Sequence, residues 1–205
     1  VTPELICDDV KNLLVSLNSE SEPVYVKCIP EIDAELDDCF PLVESKIKRM
    51  GGEIVFGWQI WKANFLIEAE FHAIWKTKSG ELIDISRKAI SPDKILFVQD
   101  SNRVYEGKQV DNIRVNIIGN RLVDDFIAVC EASFRLQNTG DKAFKHELTL
   151  IGAEAEAYSI LEDSKIMLQA MIEQGFNHQS PCICNSGKKY KVCHGKKIHT
   201  LVECI

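Results

Sequence analysis

Cys182-Ile183-Cys184 is followed, after eight residues, by the adjacent pair Cys193-His194. Three thiolates and one imidazole are the ligand set of a closed tetrahedral zinc site, with no position left for water. Catalytic zinc keeps an open coordination position, so this segment is expected to fold on its metal and to hydrolyse nothing. Thiolate-rich sites also accept iron, which leaves both Zn2+ and iron open from the ligands alone. Gly187 permits the chain reversal that so short a loop demands. Lys188, Lys189, Lys191, Lys196 and Lys197 lie around the cluster and offset its negative charge.

The stretch from Pro181 to Gly195 resembles the SEC-C motif, a small zinc-binding module at the tail of the bacterial preprotein translocase ATPase and on many otherwise unrelated proteins. Cys182, Cys184, Ser186-Gly187-Lys188-Lys189-Tyr190, Cys193, His194 and Gly195 carry the resemblance. Ile183 and Asn185 stand where that family usually has proline and glycine, and neither is a ligand. The resemblance implies a detachable docking element for a protein partner, the ribosome or a membrane surface. The five lysines agree with an anionic partner, either RNA or an acidic protein face, and equally with a solvated charged face. Aromatic residues for base stacking are nearly absent from the tail beyond Tyr190.

A second set of residues is more dispersed. In Asp37-Asp38-Cys39-Phe40-Pro41 the thiol stands at an expected helix N-terminus, where the helix dipole favours a thiolate and the two aspartates oppose it. In FLIEAEFHAIWKTKSGELIDIS, Phe65, Ile67, Ala69, Phe71, Ala73 and Trp75 share one strand face, and Glu68, Glu70 and His72 the other. Ile83 and Ile85 must join the apolar face after the turn. A Lys78-Ser79-Gly80 loop, with Gly80 left-handed, pairs Ile83 with Trp75 and brings Asp84 diagonal to His72. A thiol at a helix start, a histidine on one strand and a carboxylate on the next can support acyl transfer. The alternative is a polar sheet face, with His72 paired to Glu70 or Asp84 for structure alone.

The order Cys39, His72, Asp84 resembles the transglutaminase-like branch of the papain-like thiol enzymes. That resemblance implies a nucleophilic Cys39, a proton-moving His72 and an orienting Asp84, acting on an amide or thioester carbonyl. The chain departs from the family at Asp37-Asp38, where a glycine is common, at Ile74, where tryptophan is usual, and at Ile85-Ser86, in place of Pro-Thr.

Stepping outward along the chain, Thr2-Pro3 and the stripe Leu5, Ile6, Val10, Leu13, Leu14 and Leu17 predict a first helix. A strand is expected at Pro23 to Ile29, and a helix from about Cys39 to Gly51. Strands follow at Glu53 to Trp61, Phe65 to Lys76, Leu82 to Arg87 and Ile95 to Gln99, with a further one at Arg114 to Ile118. Leu122, Phe126, Cys130 and Phe134 mark a third helix, and Asp141 to Gln174 reads as helical up to Gly175. Trp58 and Trp61 read as core residues. The expected fold class is α+β: an antiparallel sheet flanked by helices, a C-terminal helical segment and a small zinc knuckle. The expected divisions are 1–140 for the main domain, 141–177 for a helical connector and 178–200 for the zinc-binding motif.

With 205 residues, 45% of them hydrophobic, the chain can bury a core. No apolar run is long enough to span a membrane, no secretory signal order is present and no nucleotide-binding motif stands out, so a cytoplasmic protein is expected. Scattered cysteines suit reduced thiols better than a disulfide scaffold. The formal charge is −7, and taking away the five tail lysines leaves the rest at about −12. Two functions fit: a zinc-tailed docking module whose main domain binds a client, or a Cys-His-Asp hydrolase or acyltransferase that the tail recruits.

Overall fold

In the computed structural model the elements run α1 (Asp8–Leu17), β1 (Val24–Cys28), α2 (Cys39–Met50), β2 (Glu53–Lys62), β3 (Leu66–Lys76), β4 (Leu82–Asp84), β5 (Lys94–Gln99), β6 (Ile113–Asn116), α3 (Arg121–Asn138), α4 (Ala153–Glu173) and α5 (His194–Cys204). The structure describes residues 1–17, 21–32, 34–36, 38–145 and 148–205. They divide into two compact units, Val1–Glu106 with Asn112–Arg114, and Gly107–Asp111 with Val115–Ile205.

In the first unit the strand order is β2-β5-β1-β4-β3, and β2 also pairs with β3, so the sheet closes into a small barrel; β6 adds to β3 outside that closure. The α+β class with a helix-flanked sheet is as expected. The closure is not, nor is the parallel pairing of β1 with β4, which sets Cys28 beside Asp84. Trp75 does lie opposite Ile83, in the register that the apolar parity requires, and Gly80 turns the hairpin at φ +90°.

Closure changes what the strand faces mean. Val26, Val55, Ile74, Ile95 and Phe97 pack together inside the barrel. On the outside, Cys39 and Val43 of α2 pack on Ala73, Ile83 and Ile85. His72 and Asp84 alternate with those outward residues, so the face that reads as a polar sheet surface is the barrel interior. Gly57, opposite His72, has no room for a Cβ, which would meet the Phe97 ring and the Val98 carbonyl.

Three expected boundaries differ. The first helix starts at Asp8, because residues before it pair with strand ends: the Val1 amine donates to the Lys62 carbonyl and the Thr2 hydroxyl to that of Lys94. The strand expected to reach Arg87 ends at Asp84, where the β3–β4 ladder has already stopped at Trp75–Ile83. The helix expected from Asp141 begins at Ala153, after a short 3-10 turn over Gly140–Phe144 and Gly152 at φ +57°. His146 and Glu147, within that expected helix, lie outside the described residues, as does Asp37 of the cysteine segment.

The second unit packs α3, α4 and α5 around Leu122, Val129, Ala132, Leu161, Leu168 and Ile198, all buried. The side chain of Asn120 caps α3 by accepting from the Leu122 N–H, and Gly175 ends α4 with φ +77°. Among the described residues no helix is long and apolar enough to cross a membrane.

Candidate functional site

Cys39 is the first residue of α2, directly after Asp38 at the N-cap. The helix is held in place by its far end: Lys46 and Arg49 both ion-pair with Glu31, and the Lys46 ammonium also sits over the Trp75 ring. This arrangement sets the N-terminus of α2 against Ala73, Ile83 and Ile85, where β3 and β4 cease to pair. The structure therefore brings Cys39, His72 and Asp84 together from a helix and two strands. All three are buried.

The imidazole of His72 is the centre of the group. Its Nε2 lies 3.2 Å from Asp84 Oδ1 and 3.4 Å from Ser86 Oγ, and Cys39 is near enough for its charge to act on the ring. Burial alone would push the ring towards neutrality, but the interaction with Cys39 and the hydrogen bond and charge of Asp84 raise it to about 10. Burial would likewise raise Asp84, yet His72 and Lys88 hold its carboxyl well below the usual carboxylate range. A thiol, an imidazolium and a carboxylate in that order can generate a nucleophile and deliver a proton.

Four neighbours escaped the sequence reading. Ser86 donates to Asp84 Oδ1 from both its hydroxyl (2.6 Å) and its backbone N–H (3.0 Å), and Lys88 Nζ lies 2.5 Å from Asp84 Oδ2. Phe40 stacks on Tyr105, with ring centroids 3.8 Å apart and planes 5° from parallel, beside Cys39. Burial and then the Cys39 charge raise the Tyr105 phenol. The spacing of Ser86 and Lys88 from Asp84 is visible in the sequence, but only a strand that turns into the barrel aims all three at one point.

In the second unit the ligand atoms of Cys182, Cys184, Cys193 and His194 all lie within 4.8 Å of one another. Cys182 Sγ is 3.0 Å from His194 Nδ1, Cys184 Sγ is 3.5 Å from Cys193 Sγ, and Cys193 Sγ is 3.7 Å from His194 Nδ1. A tetrahedron with metal–sulfur bonds of about 2.3 Å separates its donors by roughly 3.7 Å, so these four side chains fit a single ion. Residues 180–196 match the SEC-C motif family model. No curated protein matches the chain, and no solved structure does. The donor set and the SEC-C match together fit a zinc-binding module.

Local hydrogen bonds shape the SEC-C motif before any ion is considered. Cys182 N–H donates to the Lys188 carbonyl and Asn185 N–H to that of Cys182, closing the turn that carries the first two cysteines. Asn185 has φ +56° and is the sole non-glycine residue with positive φ among those described, which explains why glycine is usual there. Ser186 Oγ lies 3.2 Å from Cys184 Sγ and 3.3 Å from Cys193 Sγ, and its hydroxyl and backbone N–H bring the Cys184 thiol down to about 6.

The motif is fixed to α3 through Tyr190. This side chain is fully buried, and its hydroxyl donates to Asp125 Oδ2 at 2.9 Å; His178 Nε2 lies 2.8 Å from the same oxygen. Gly195 packs flat on the Tyr190 ring, where a Cβ would collide. Tyr190 is thus a buried anchor and offers no face for a stacked base. Lys188, Lys189, Lys191, Lys196 and Lys197 are all exposed.

Proposed function

We propose that the chain is a Cys-His-Asp thiol hydrolase or acyltransferase whose SEC-C tail holds a structural zinc and carries the enzyme to a partner. The observation that supports it is the convergence on one buried ring: Asp84 lies 3.2 Å from His72 Nε2, and Cys39, at the start of α2, acts on the same imidazole through its charge. The reading agrees with the resemblance to the transglutaminase-like branch. Cys39 Sγ attacks the carbonyl carbon of an amide or thioester and forms a new S–C bond. The C–N or C–S bond breaks as His72 gives its proton to the departing amine or thiol. His72 then accepts a proton from water or an acceptor amine, which attacks the acyl carbon and frees Cys39. Asp84 stays a carboxylate and orients the ring.

Incubating the full, metal-loaded chain with a small acyl thioester and mapping peptides by mass spectrometry tests this. The expected product is an acyl group on Cys39 that disappears in His72→Ala. Acylation confined to the exposed Cys204, or spread evenly over all thiols, sinks the proposal.

A second reading, that the protein serves mainly to dock, is favoured by the tail surface. Five exposed lysines with no acid from His178 to Thr200 stand beside the exposed apolar side chains of Ile183 and Val192. Basic plus apolar surface, with Tyr190 buried, suits an acidic protein face better than RNA. Replacing Lys188, Lys189 and Lys191 by glutamate is expected to abolish partner capture with no change in bound metal. Capture that survives the reversal contradicts this reading.

A further inference from the structure

Lys88 is packed beside the Cys39–His72–Asp84 group, with its side chain 11% exposed, yet no step of the chemistry above uses it. Its Nζ lies 2.5 Å from Asp84 Oδ2 and 2.5 Å from Ser86 Oγ. The other carboxylate oxygen, Oδ1, accepts from the Ser86 hydroxyl at 2.6 Å and the Ser86 N–H at 3.0 Å and faces His72 Nε2 at 3.2 Å. One buried carboxylate therefore serves two cationic side chains. Among the described residues, the charged or titratable groups around it are Cys39 from α2 with Tyr105 beyond it, Cys28 from β1 with Sγ 3.7 Å from Asp84 Oδ2 and Asp93 acting on that thiol, and His72 and Lys88 themselves. Across the β2–β3 ladder His72 meets Gly57, which brings no charge.

The geometry points to Lys88 as a positioning residue of the thiol site: by occupying Oδ2 it leaves Oδ1 aimed at His72 and limits how firmly Asp84 holds a proton on the ring. The inference rests on the thiol-enzyme reading for its purpose, since a ring that must protonate a leaving group is a poor acid if held too tightly. Two physical consequences follow. Orientation survives loss of the ammonium, because Ser86 still supplies two donors to Oδ1. The whole carboxylate charge then acts on His72, so its proton becomes harder to remove.

The test is the titration of the His72 ring by NMR in the full, metal-loaded chain carrying Cys39→Ser, which removes the thiolate charge. The resonance is assigned by its loss in His72→Gln. Lys88→Met is expected to raise the ring's titration midpoint by about one pH unit or more, as removal of a unit charge several ångströms from a buried ring requires. Lys88→Arg is expected to restore the parent value. Lys88→Gln keeps a donor without the charge and carries the same expectation as Met, should Met not fold. A midpoint unchanged or lowered in Met or Gln overturns the inference, because it means that Lys88 only supports Asp84. Failure of the thiol-enzyme reading would show separately, as Cys39 alkylation in the parent chain that ignores His72.

Discussion

Cys182 and His194 are 12 residues apart, and so are His72 and Asp84, yet the two pairs are brought together by opposite means. In the SEC-C motif, turns of a few residues place the donors: Cys182 to Lys188, Asn185 to Cys182 and Cys193 to Tyr190 are all backbone hydrogen bonds within the segment. In the barrel, a strand register places His72 near Asp84, and α2 delivers Cys39 from another part of the fold. Three thiolates converging on each other repel until a cation joins them, whereas one thiol facing an imidazole and a carboxylate is complete as it stands. Local geometry thus dominates in the cysteine cluster, and burial dominates around His72.

Metal removal breaks this comparison most sharply. A chelator is expected to unfold residues 180–196, because apparent binding energies of structural zinc reach about 10–16 kcal/mol and are folding energy for the segment. Hydrogen exchange is expected to rise there and not in β2, β3 or β5. Cys193→Ser is expected to give the same pattern together with loss of bound metal.

The barrel has its own breaking point at Asp84. Asp84→Ala leaves Lys88 and His72 buried without a counter-charge, and breaking a buried pair in this way costs about 3–5 kcal/mol. Denaturant unfolding checks this, and metal content is expected to stay unchanged.

How stability varies with pH sharpens the contrast next. His72 is raised from its ordinary 6.5 to about 10, so its contribution is complete below about 6.5 and is lost as pH climbs towards 10. Asp84 is lowered from its ordinary 3.8, so its contribution is complete above that value and is lost as pH falls through the acid range. The barrel is therefore expected to be most stable between these limits. His72→Gln is expected to flatten the alkaline side and Asp84→Asn the acid side of a plot of unfolding midpoint against pH.

The smallest expected effect lies in the tail anchor. Tyr190→Phe removes the hydroxyl that donates to the largely buried Asp125, and leaving that acceptor short of one partner costs about 1–3 kcal/mol. His178 still bonds Asp125, which argues for the lower end. Thermal unfolding of the metal-loaded chain measures it, and an unchanged midpoint means that the ring alone is the anchor.

The unequal legibility of the two sites follows from the same contrast. Cys182, Cys184, Cys193 and His194 could be read as one ligand set because their neighbours in space are their neighbours in sequence. The hairpin register was readable too, since Ile83 and Ile85 have only one apolar face to join. Barrel closure was not, because it depends on β2 meeting both β3 and β5, a contact that no local pattern encodes. Without closure, Glu68, Glu70 and His72 look like a polar sheet face, Ser86 reads as part of a strand reaching Arg87, and Lys88 lies just beyond it. The anchoring role of Tyr190 is not legible in the basic tail, because its acceptor, Asp125, lies 65 residues away.

The most direct test of the thiol site is the rate of Cys39 alkylation against pH, followed by peptide mass mapping in the folded, metal-loaded chain and in His72→Ala. The expected result is a Cys39 that reacts at pH values well under the free-thiol midpoint of about 8.5 and loses that reactivity without the imidazole. A Cys39 that is inert, or that reacts like an ordinary thiol in both forms, contradicts the thiol-enzyme reading and leaves a metal-tailed binding module.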